Sequence, residues 1–228
     1  MTIQFNHIRC ISFDLDGTLV DHEFANLVWH QGIPELYGHA KGLDLPTAQR
    51  IVLREYEKVG DGALEWYDVN YWFEYLGLPG GGEQLLRRYS SAVRVYSEVH
   101  DVLRHLQDRF RLIVLSNAAR EFIDVEMRVG GLANYFERVV SATSDFGVVK
   151  KSEEFYRRVC DMVAVDLQEM MHVGDHWEFD YQVPKRVGIG ALYLDRNRNR
   201  HEPDAIADLR RLEELLCVGD ACCPASAE

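Results

Sequence analysis

The sequence predicts an α/β protein: a parallel β-sheet covered by helices, with an all-helical insertion after the first strand. From Val99 onwards, short apolar runs alternate with amphipathic helices, which is the pattern of a parallel sheet built from strand–helix units. Residues 21–96 show helical spacing and no alternating strand pattern. The apolar run that ends at Phe13 supplies one more strand, so the insertion separates this strand from the rest of the sheet.

The composition limits the partners that we expect. The chain has 228 residues and a formal net charge of −12, with 25 Lys and Arg against 37 Asp and Glu, which argues against nucleic acid as a partner. The sequence contains no run of 18 apolar residues, the length that would span a membrane, and its first ten residues lack the apolar core of a signal peptide. We therefore expect a cytoplasmic protein with no membrane partner. The five cysteines do not form an even-numbered disulfide framework: Cys10, Cys160, Cys217, Cys222 and Cys223.

The first strand ends in two aspartates. The apolar run is followed by Asp14, Asp16, Gly17 and Thr18, and residues two apart in a strand point to the same face. Two carboxylates held that close repel each other unless a cation neutralises them or a proton is shared. A strand end capped by turn-forming residues is the simpler alternative at this stage.

The insertion is predicted to contain three main helices. They cover residues 46–59, 64–76 and 83–93, separated by glycine-containing breaks. The second helix is unusual because it has one face of Trp66, Val69, Phe73 and Leu76 and another of Tyr67, Tyr71 and Tyr75. The tyrosine face either packs inside the helical bundle or faces a substrate cleft or a second subunit.

The remaining strands also end in polar residues. Residues 112–115 form a strand that ends at Ser116 and Asn117, directly before a helix predicted to begin at Ala118. Residues 170–173 form a strand that ends at Gly174 and Asp175, with Asp180 five residues further on. Further predicted elements are a helix at 99–108, a strand at 137–142, a helix at 152–165, a strand at 191–194 and a helix at 203–216.

Two basic segments lie in loops. Lys150 precedes the helix at 152–165, and a solvated connection is expected around Arg196, Arg198 and Arg200. In a doubly wound sheet, ligands bind beyond the carboxyl ends of the strands. The aspartates, Ser116 and Lys150 are therefore expected to meet at one edge of the sheet.

These motifs, in this order and spacing, resemble the haloacid dehalogenase superfamily in its phosphatase form. The matching residues are Asp14-Leu15-Asp16-Gly17-Thr18, Ser116-Asn117, Lys150, and Gly174-Asp175 with Asp180. The resemblance implies a Rossmann-like three-layer core at residues 1–18 and 97–216, a helical cap of the C1 type at 19–96, and a C-terminal tail at 217–228. Lys151 stands where similar members often have proline after the motif lysine, and the spacing from Gly147 favours Lys150 as the site residue.

The resemblance also implies the chemistry. Asp14 would be the nucleophile that forms an aspartyl-phosphate, and Asp16 the general acid and base. Mg²⁺ would be held by the Asp14 and Asp175 carboxylates and the Asp16 backbone carbonyl. Lys150 would neutralise the substrate phosphate, and Ser116 and the Asn117 backbone would orient it. Asp180 would steady the lysine or a metal-bound water, and Thr18 would support the residues around it.

The expected substrate is a small phosphorylated metabolite, hydrolysed by a monomer or a homodimer. Three alternatives stay open: a phosphosugar mutase, which would keep every core residue; a haloacid dehalogenase, against which Asp16 argues; and a phosphate-binding module without activity. Opening and closing of the cap about residues 19–21 and 96–98 would admit substrate.

Overall fold

A six-stranded parallel sheet forms the core of the computed structural model, which describes residues 7–198 and 202–218. The strands are β1 (Cys10–Phe13), β2 (Arg111–Ser116), β3 (Arg138–Ser141), β4 (Met170–Gly174), β5 (Gly190–Leu194) and β6 (Ala205–Ile206). Their spatial order is β3-β2-β1-β4-β5-β6, and every neighbouring pair is parallel. The predicted α/β class and parallel sheet are confirmed.

Helices cover both faces of the sheet. The helices of the core are α6 (Val99–Gln107), α7 (Arg120–Val129), α8 (Ala142–Phe146), α9 (Glu153–Val163), α10 (Val183–Val187) and α11 (Leu209–Val218). Apolar side chains of α6, α7 and α11 pack on one face, and those of α9 and α10 pack on the other. β1 lies between β2 and β4, and all four of its residues are buried. The residues that follow β1 therefore lie near the middle of the carboxyl edge of the sheet.

Every element of the insertion is helical. The α-helices are α1 (Glu23–Leu27), α2 (Ile33–Lys41), α3 (Leu45–Val59), α4 (Val69–Leu76) and α5 (Gly82–Tyr89), with a π-helical turn at Val28–Gly32 and 3₁₀ turns at Leu64–Tyr67 and Ser90–Ala92. Their core contains Phe24, Val52 and Trp72, and it continues onto Phe122 and Val125 of α7. The insertion therefore packs against the helix that follows β2.

The structure corrects three predicted boundaries. The second helix of the insertion is interrupted at Asp68, whose carboxylate caps α4, so Trp66 lies in a separate 3₁₀ turn and not on the buried face of α4. The helix after β2 begins at Arg120 and not at Ala118. The predicted helix at 203–216 begins only at Leu209, because Ala205 and Ile206 pair with the edge of β5.

The predicted solvated loop after β5 is wrong for Arg196. The guanidinium of Arg196 donates to the carbonyls of Gly17 (3.2 Å) and Thr18 (2.6 Å), pairs with Glu98 at 2.7 Å, and lies 3.5 Å from the ring centre of Tyr96. Its side chain is only 16% exposed. Arg196 therefore joins both ends of the insertion to the core, because it contacts the chain where it leaves for the insertion and where it returns.

Other sequence predictions fall outside the described residues. They concern residues 1–6, Arg200, the side chain of Cys217, and Cys222 and Cys223 of the predicted tail. Cys10 and Cys160 are buried free thiols. Within residues 7–198 and 202–218, no helix is long and apolar enough to cross a membrane.

Candidate active site

The first and fourth strands bring their terminal aspartates together. β1 and β4 are hydrogen-bonded neighbours in which Phe13 is opposite Val173, and the Asp14 amide donates to the Val173 carbonyl at 2.9 Å. Oxygens of Asp14, Asp175 and Asp180 all lie within 4.8 Å of one another. The adjacent strands thus build the acidic cluster that the sequence motifs predict at the carboxyl edge of the sheet.

Lys151, and not Lys150, lies in this cluster. The Lys151 ammonium lies 2.6 Å from Asp14 Oδ1 and 2.6 Å from Asp180 Oδ1, and it donates to the Leu115 carbonyl at 2.9 Å. Its side chain is 1% exposed, whereas that of Lys150 is 38% exposed and pairs with Asp61 at 3.2 Å. The spacing argument for Lys150 is therefore wrong: α8 ends at Gly147, which has a left-handed conformation, and the loop that follows brings Lys151 to the cluster.

The charges around Asp14 are poorly balanced. Burial raises the pKa of Asp14, the Lys151 ammonium lowers it, and the Asp180 and Asp175 carboxylates raise it further, with a net rise well above the usual range. At Asp180, burial also acts to raise the pKa, but Lys151 and His172 hold it below its usual range. One ammonium thus serves two buried carboxylates, and the site as a whole favours a further cation.

The carboxyl group of Asp16, which is half-buried, lies near the buried carboxyl group of Glu126. Glu126 is fully buried on α7, and neither of its oxygens has a donor partner in the described part of the chain. Burial raises the pKa of both groups, and the neighbouring Asp16 carboxylate pushes the pKa of Glu126 well above its usual range. Two neighbouring carboxylates repel each other, so this arrangement favours the protonated form of a carboxyl group next to Asp16.

His22 and Gly17 surround the Asp175 carboxylate. His22 Nε2 lies 3.5 Å from Asp175 Oδ2, and this contact raises the pKa of His22. Gly17 has a φ of 77°, and a Cβ atom there would fall inside the Asp175 carboxylate. Because Gly17 has no side chain, the Asp175 carboxylate has space to lie close to the Asp14–Thr18 segment.

The remaining predicted residues line the same cavity or lie beneath it. Ser116 is 2% exposed, and its Oγ accepts from the Ala118 amide at 3.0 Å. Asn117 Oδ1 and the Thr18 hydroxyl are buried without a hydrogen-bond partner among the described residues. Ser116 and Asn117 line the cavity, whereas Thr18, the last residue of the Asp14–Thr18 motif, is fully buried.

The acidic cluster opens into a cavity of about 440 Å³. The sheet edge forms one side, and the insertion forms the other with Ala25, Trp29, Trp66 and Tyr67. Of the predicted tyrosine face, only Tyr67 lines this cavity; Tyr71 lines a neighbouring one, and Tyr75 is 48% exposed. The face is thus divided between the cavity, a second groove and the surface.

The sequence interpretation missed several of these residues. A charged residue on the buried face of a helix that also carries Phe122 and Ile123 is a usable signal for Glu126. His22 and Trp29 gave no such signal, because His22 directly precedes the five-residue helix α1 and Trp29 lies in a single π-helical turn.

The acidic cluster fits a divalent cation. Carboxylate oxygens are the ligands that Mg²⁺ prefers, and Asp14 and Asp175 offer theirs at the cavity wall. Both oxygens of Asp180 are already used, one by Lys151 and the other by the His176 amide at 2.9 Å. The Asp16 side chain is not part of the cluster formed by the described residues, which leaves its backbone carbonyl as the expected ligand.

Fold and site together describe a Rossmann-like α/β core with an acidic cluster at the carboxyl edge of its sheet. The family model of haloacid dehalogenase-like hydrolases matches residues 8–188, so the chain belongs to this family. The predicted superfamily and the predicted enzyme class, a phosphatase-type hydrolase, are confirmed.

Three similar proteins place the chain within the family. It is 24% identical over 186 residues to the GMP/IMP nucleotidase YrfG of Escherichia coli, and the aligned region covers 77% of this chain and 78% of the relative. A HAD phosphatase from Thermococcus onnurineus superposes with a TM-score of 0.80 at 24% identity, covering 92% of this chain and 98% of that one. The magnesium-bound putative HAD-hydrolase YfnB of Bacillus subtilis gives a TM-score of 0.65 at 18% identity, covering 92% and 99%.

Proposed function

We propose that this protein is a Mg²⁺-dependent phosphatase that hydrolyses a small phosphomonoester through an aspartyl-phosphate on Asp14. The observation that carries the proposal is the position of Asp14: its carboxylate lines the cavity, is held by Lys151 at 2.6 Å, and lies in the acidic cluster with Asp175. The similarity to phosphatases and to a magnesium-bound family member supports it.

In the first step, Asp14 attacks the phosphorus atom and the bond to the leaving oxygen breaks. Lys151 holds Asp14 Oδ1, which leaves Oδ2 outside this ion pair as the attacking oxygen. Asp16 donates a proton to the leaving alkoxide, as its raised pKa allows. Lys151 and Ser116 stabilise the charge on the other phosphate oxygens.

In the second step, water hydrolyses the phosphoryl group. Asp16, now ionised, takes a proton from the water that attacks phosphorus, so that phosphate leaves and Asp14 is restored. Asp180 holds Lys151 in position, since its Oδ1 lies 2.6 Å from the ammonium. A bound Mg²⁺ ion, held by Asp14, Asp175 and the Asp16 carbonyl, would supply the positive charge that lets a carboxylate approach a phosphate dianion.

The helical insertion serves as the cap in this proposal, with residues 19–96 as the cap and residues 1–18 and 97–216 as the core. The two connecting segments pair with each other, because the Asp21 amide donates to the Arg94 carbonyl at 2.9 Å and the Tyr96 amide to the Leu19 carbonyl at 3.1 Å. Motion about these segments would open the cavity between Trp66 and the sheet edge.

Phosphate release from p-nitrophenyl phosphate, with and without Mg²⁺, tests the proposal. Asp14→Asn should abolish turnover, and mass spectrometry of the rapidly quenched unmodified enzyme should find a phosphoryl group on Asp14. Asp124→Asn, at an exposed position on α7, is the matched control and should leave turnover unchanged. Turnover by Asp14→Asn, or a Mg²⁺-independent reaction, would contradict the proposal.

A further inference from the structure

The cavity above Asp14 has one side that the proposed chemistry does not use. We propose that this side selects a phosphomonoester whose leaving group is uncharged and carries a flat ring, and that the ring lies against an aromatic wall formed by Trp29, Trp66 and Phe122. The inference rests on the proposed phosphatase function and names the substrate class for the same cavity.

The aromatic wall consists of nearly parallel rings. Trp29 stacks on Phe122 with ring centres 5.1 Å apart and planes at 13°, and Trp66 stacks on Trp29 at 6.4 Å and 30°. Phe122 is buried, whereas Trp29 and Trp66 are only partly buried and line the cavity. Apolar ring surface thus remains open to the space in which a leaving group would lie.

The wall is held in place from behind. The Trp29 carbonyl accepts from the Tyr56 hydroxyl at 3.1 Å, and the Trp66 carbonyl accepts from the Trp72 indole at 3.2 Å. Tyr56 and Trp72 are buried in the core of the insertion, and their rings contact each other with centres 4.5 Å apart. A surface that is rigid before binding loses little conformational entropy when a ring stacks on it.

The charges of the cavity disfavour a second anionic group on the substrate. Among the described residues that line it, Lys151 is the one Lys or Arg, and its ammonium is already shared by Asp14 and Asp180. The His22 imidazole lies beside Asp175. A carboxylate or second phosphate on the leaving group would therefore meet acidic neighbours without a Lys or Arg side chain that is free to pair with it.

The apolar side also offers few partners for a bare polyhydroxylated chain. Ala25, Trp29, Trp66 and Phe122 provide little hydrogen-bonding capacity, and the Tyr67 hydroxyl already donates to the Asp61 carbonyl at 3.3 Å. Hydroxyl groups placed there would lose their hydrogen bonds to water. A ring gains contact at the same place, because stacking needs only its apolar face.

A pair of matched substrates tests the inference. A nucleoside 5′-monophosphate and ribose 5-phosphate both release a primary ribose alkoxide, and only the nucleotide carries a flat base. The ratio of their kcat/KM values therefore measures the contribution of the base. We expect a preference for the nucleotide of about 5- to 150-fold, the range for stacking one base on an aromatic side chain. 2-Phosphoglycolate, which adds a carboxylate, should be a poorer substrate than ribose 5-phosphate.

Variants assign the preference to the wall. Trp66→Ala should reduce the nucleotide preference mainly through KM, and Trp66→Phe should restore part of it. Tyr75→Ala is the matched control: Tyr75 is an exposed aromatic residue of the same insertion that does not line the cavity, so turnover and preference should stay as in the unmodified enzyme.

The outcomes separate the two proposals. Release of phosphate from none of the esters would refute the phosphatase function itself. Equal or better turnover of ribose 5-phosphate or 2-phosphoglycolate would overturn the ring inference and leave the phosphatase function standing. A full preference retained in Trp66→Ala would also overturn the wall as its source. If that variant does not fold, the substrate pair on the unmodified enzyme still decides.

Discussion

Replacing Lys151 by methionine tests the interpretation of the site most directly, because Lys150 next to it provides an internal control. Lys151 is the cation shared by Asp14 and Asp180, and its side chain is 1% exposed. Removing one partner of a buried ion pair costs about 3–5 kcal/mol. For a chain of this size each kcal/mol lowers Tm by roughly 2–4 °C, so we expect Lys151→Met to lower Tm by about 6–20 °C without metal.

Activity should fall as well. Loss of one charged group that stabilises the transition state typically lowers kcat by about 10²–10³-fold. Lys150→Met removes only the exposed pair with Asp61, so its free energy of unfolding should change by no more than about 0.5 kcal/mol, and its turnover should remain close to that of the unmodified enzyme. Thermal denaturation in EDTA and phosphate release with Mg²⁺ measure the two effects. The reasoning is refuted if Lys150→Met shows the losses and Lys151→Met does not.

Three further predictions concern the metal, pH and the first motif. Mg²⁺ at about 100 times its Kd should stabilise the protein by ~2.7 kcal/mol and raise Tm by roughly 5–11 °C; Asp175→Asn should remove this shift, and an unchanged shift would argue against the cluster as the metal site. Burial keeps the pKa of His172 below the 6.5 of an exposed histidine, so the unfolded chain binds the proton first as pH falls, and stability should drop from about pH 6.5 downwards. His172→Gln should flatten the dependence of the unfolding free energy on pH in this window, as measured by urea denaturation, and an unchanged slope would contradict this account. Gly17→Ala should abolish phosphate release because the new Cβ would displace Asp175, whereas Gly60→Ala, with a similar φ of 78° and open space around it, should cost only backbone strain of about 1–3 kcal/mol. Equal activity in both glycine variants would show that the close approach at Gly17 does not matter.

The sequence was sufficient for the part of the site that depends on strand ends. Apolar runs followed by Asp14, Ser116 and Asp175 locate three neighbouring strands, and parallel strands place their carboxyl ends at one edge. The two-residue strand Ala205–Ile206 was missed because so short a segment has no periodicity, and Pro203 suggested a helix start instead.

Contacts between distant segments could not be predicted in the same way. Lys150 and Lys151 are chemically identical, and only the path of the loop after α8 decides which ammonium reaches Asp14. The pairing of Asp16 with Glu126 joins segments that are remote in sequence and carry the same charge. No local pattern indicates that these two carboxyl groups will lie near each other in the folded protein.

The position of Arg196 has a consequence for the order in which this protein matures on the ribosome. Its bonds to the carbonyls of Gly17 and Thr18 join residues that are 179 and 178 positions apart, so the segment after β1, which is synthesised early, must wait for one that is synthesised late. The helical insertion and α7, whose apolar side chains form one shared core, are both synthesised before that segment. The contacts of Arg196 that tie the insertion to the sheet form only after the segment that follows β5 has been synthesised. The cavity between the insertion and the sheet edge reaches its final shape at that point.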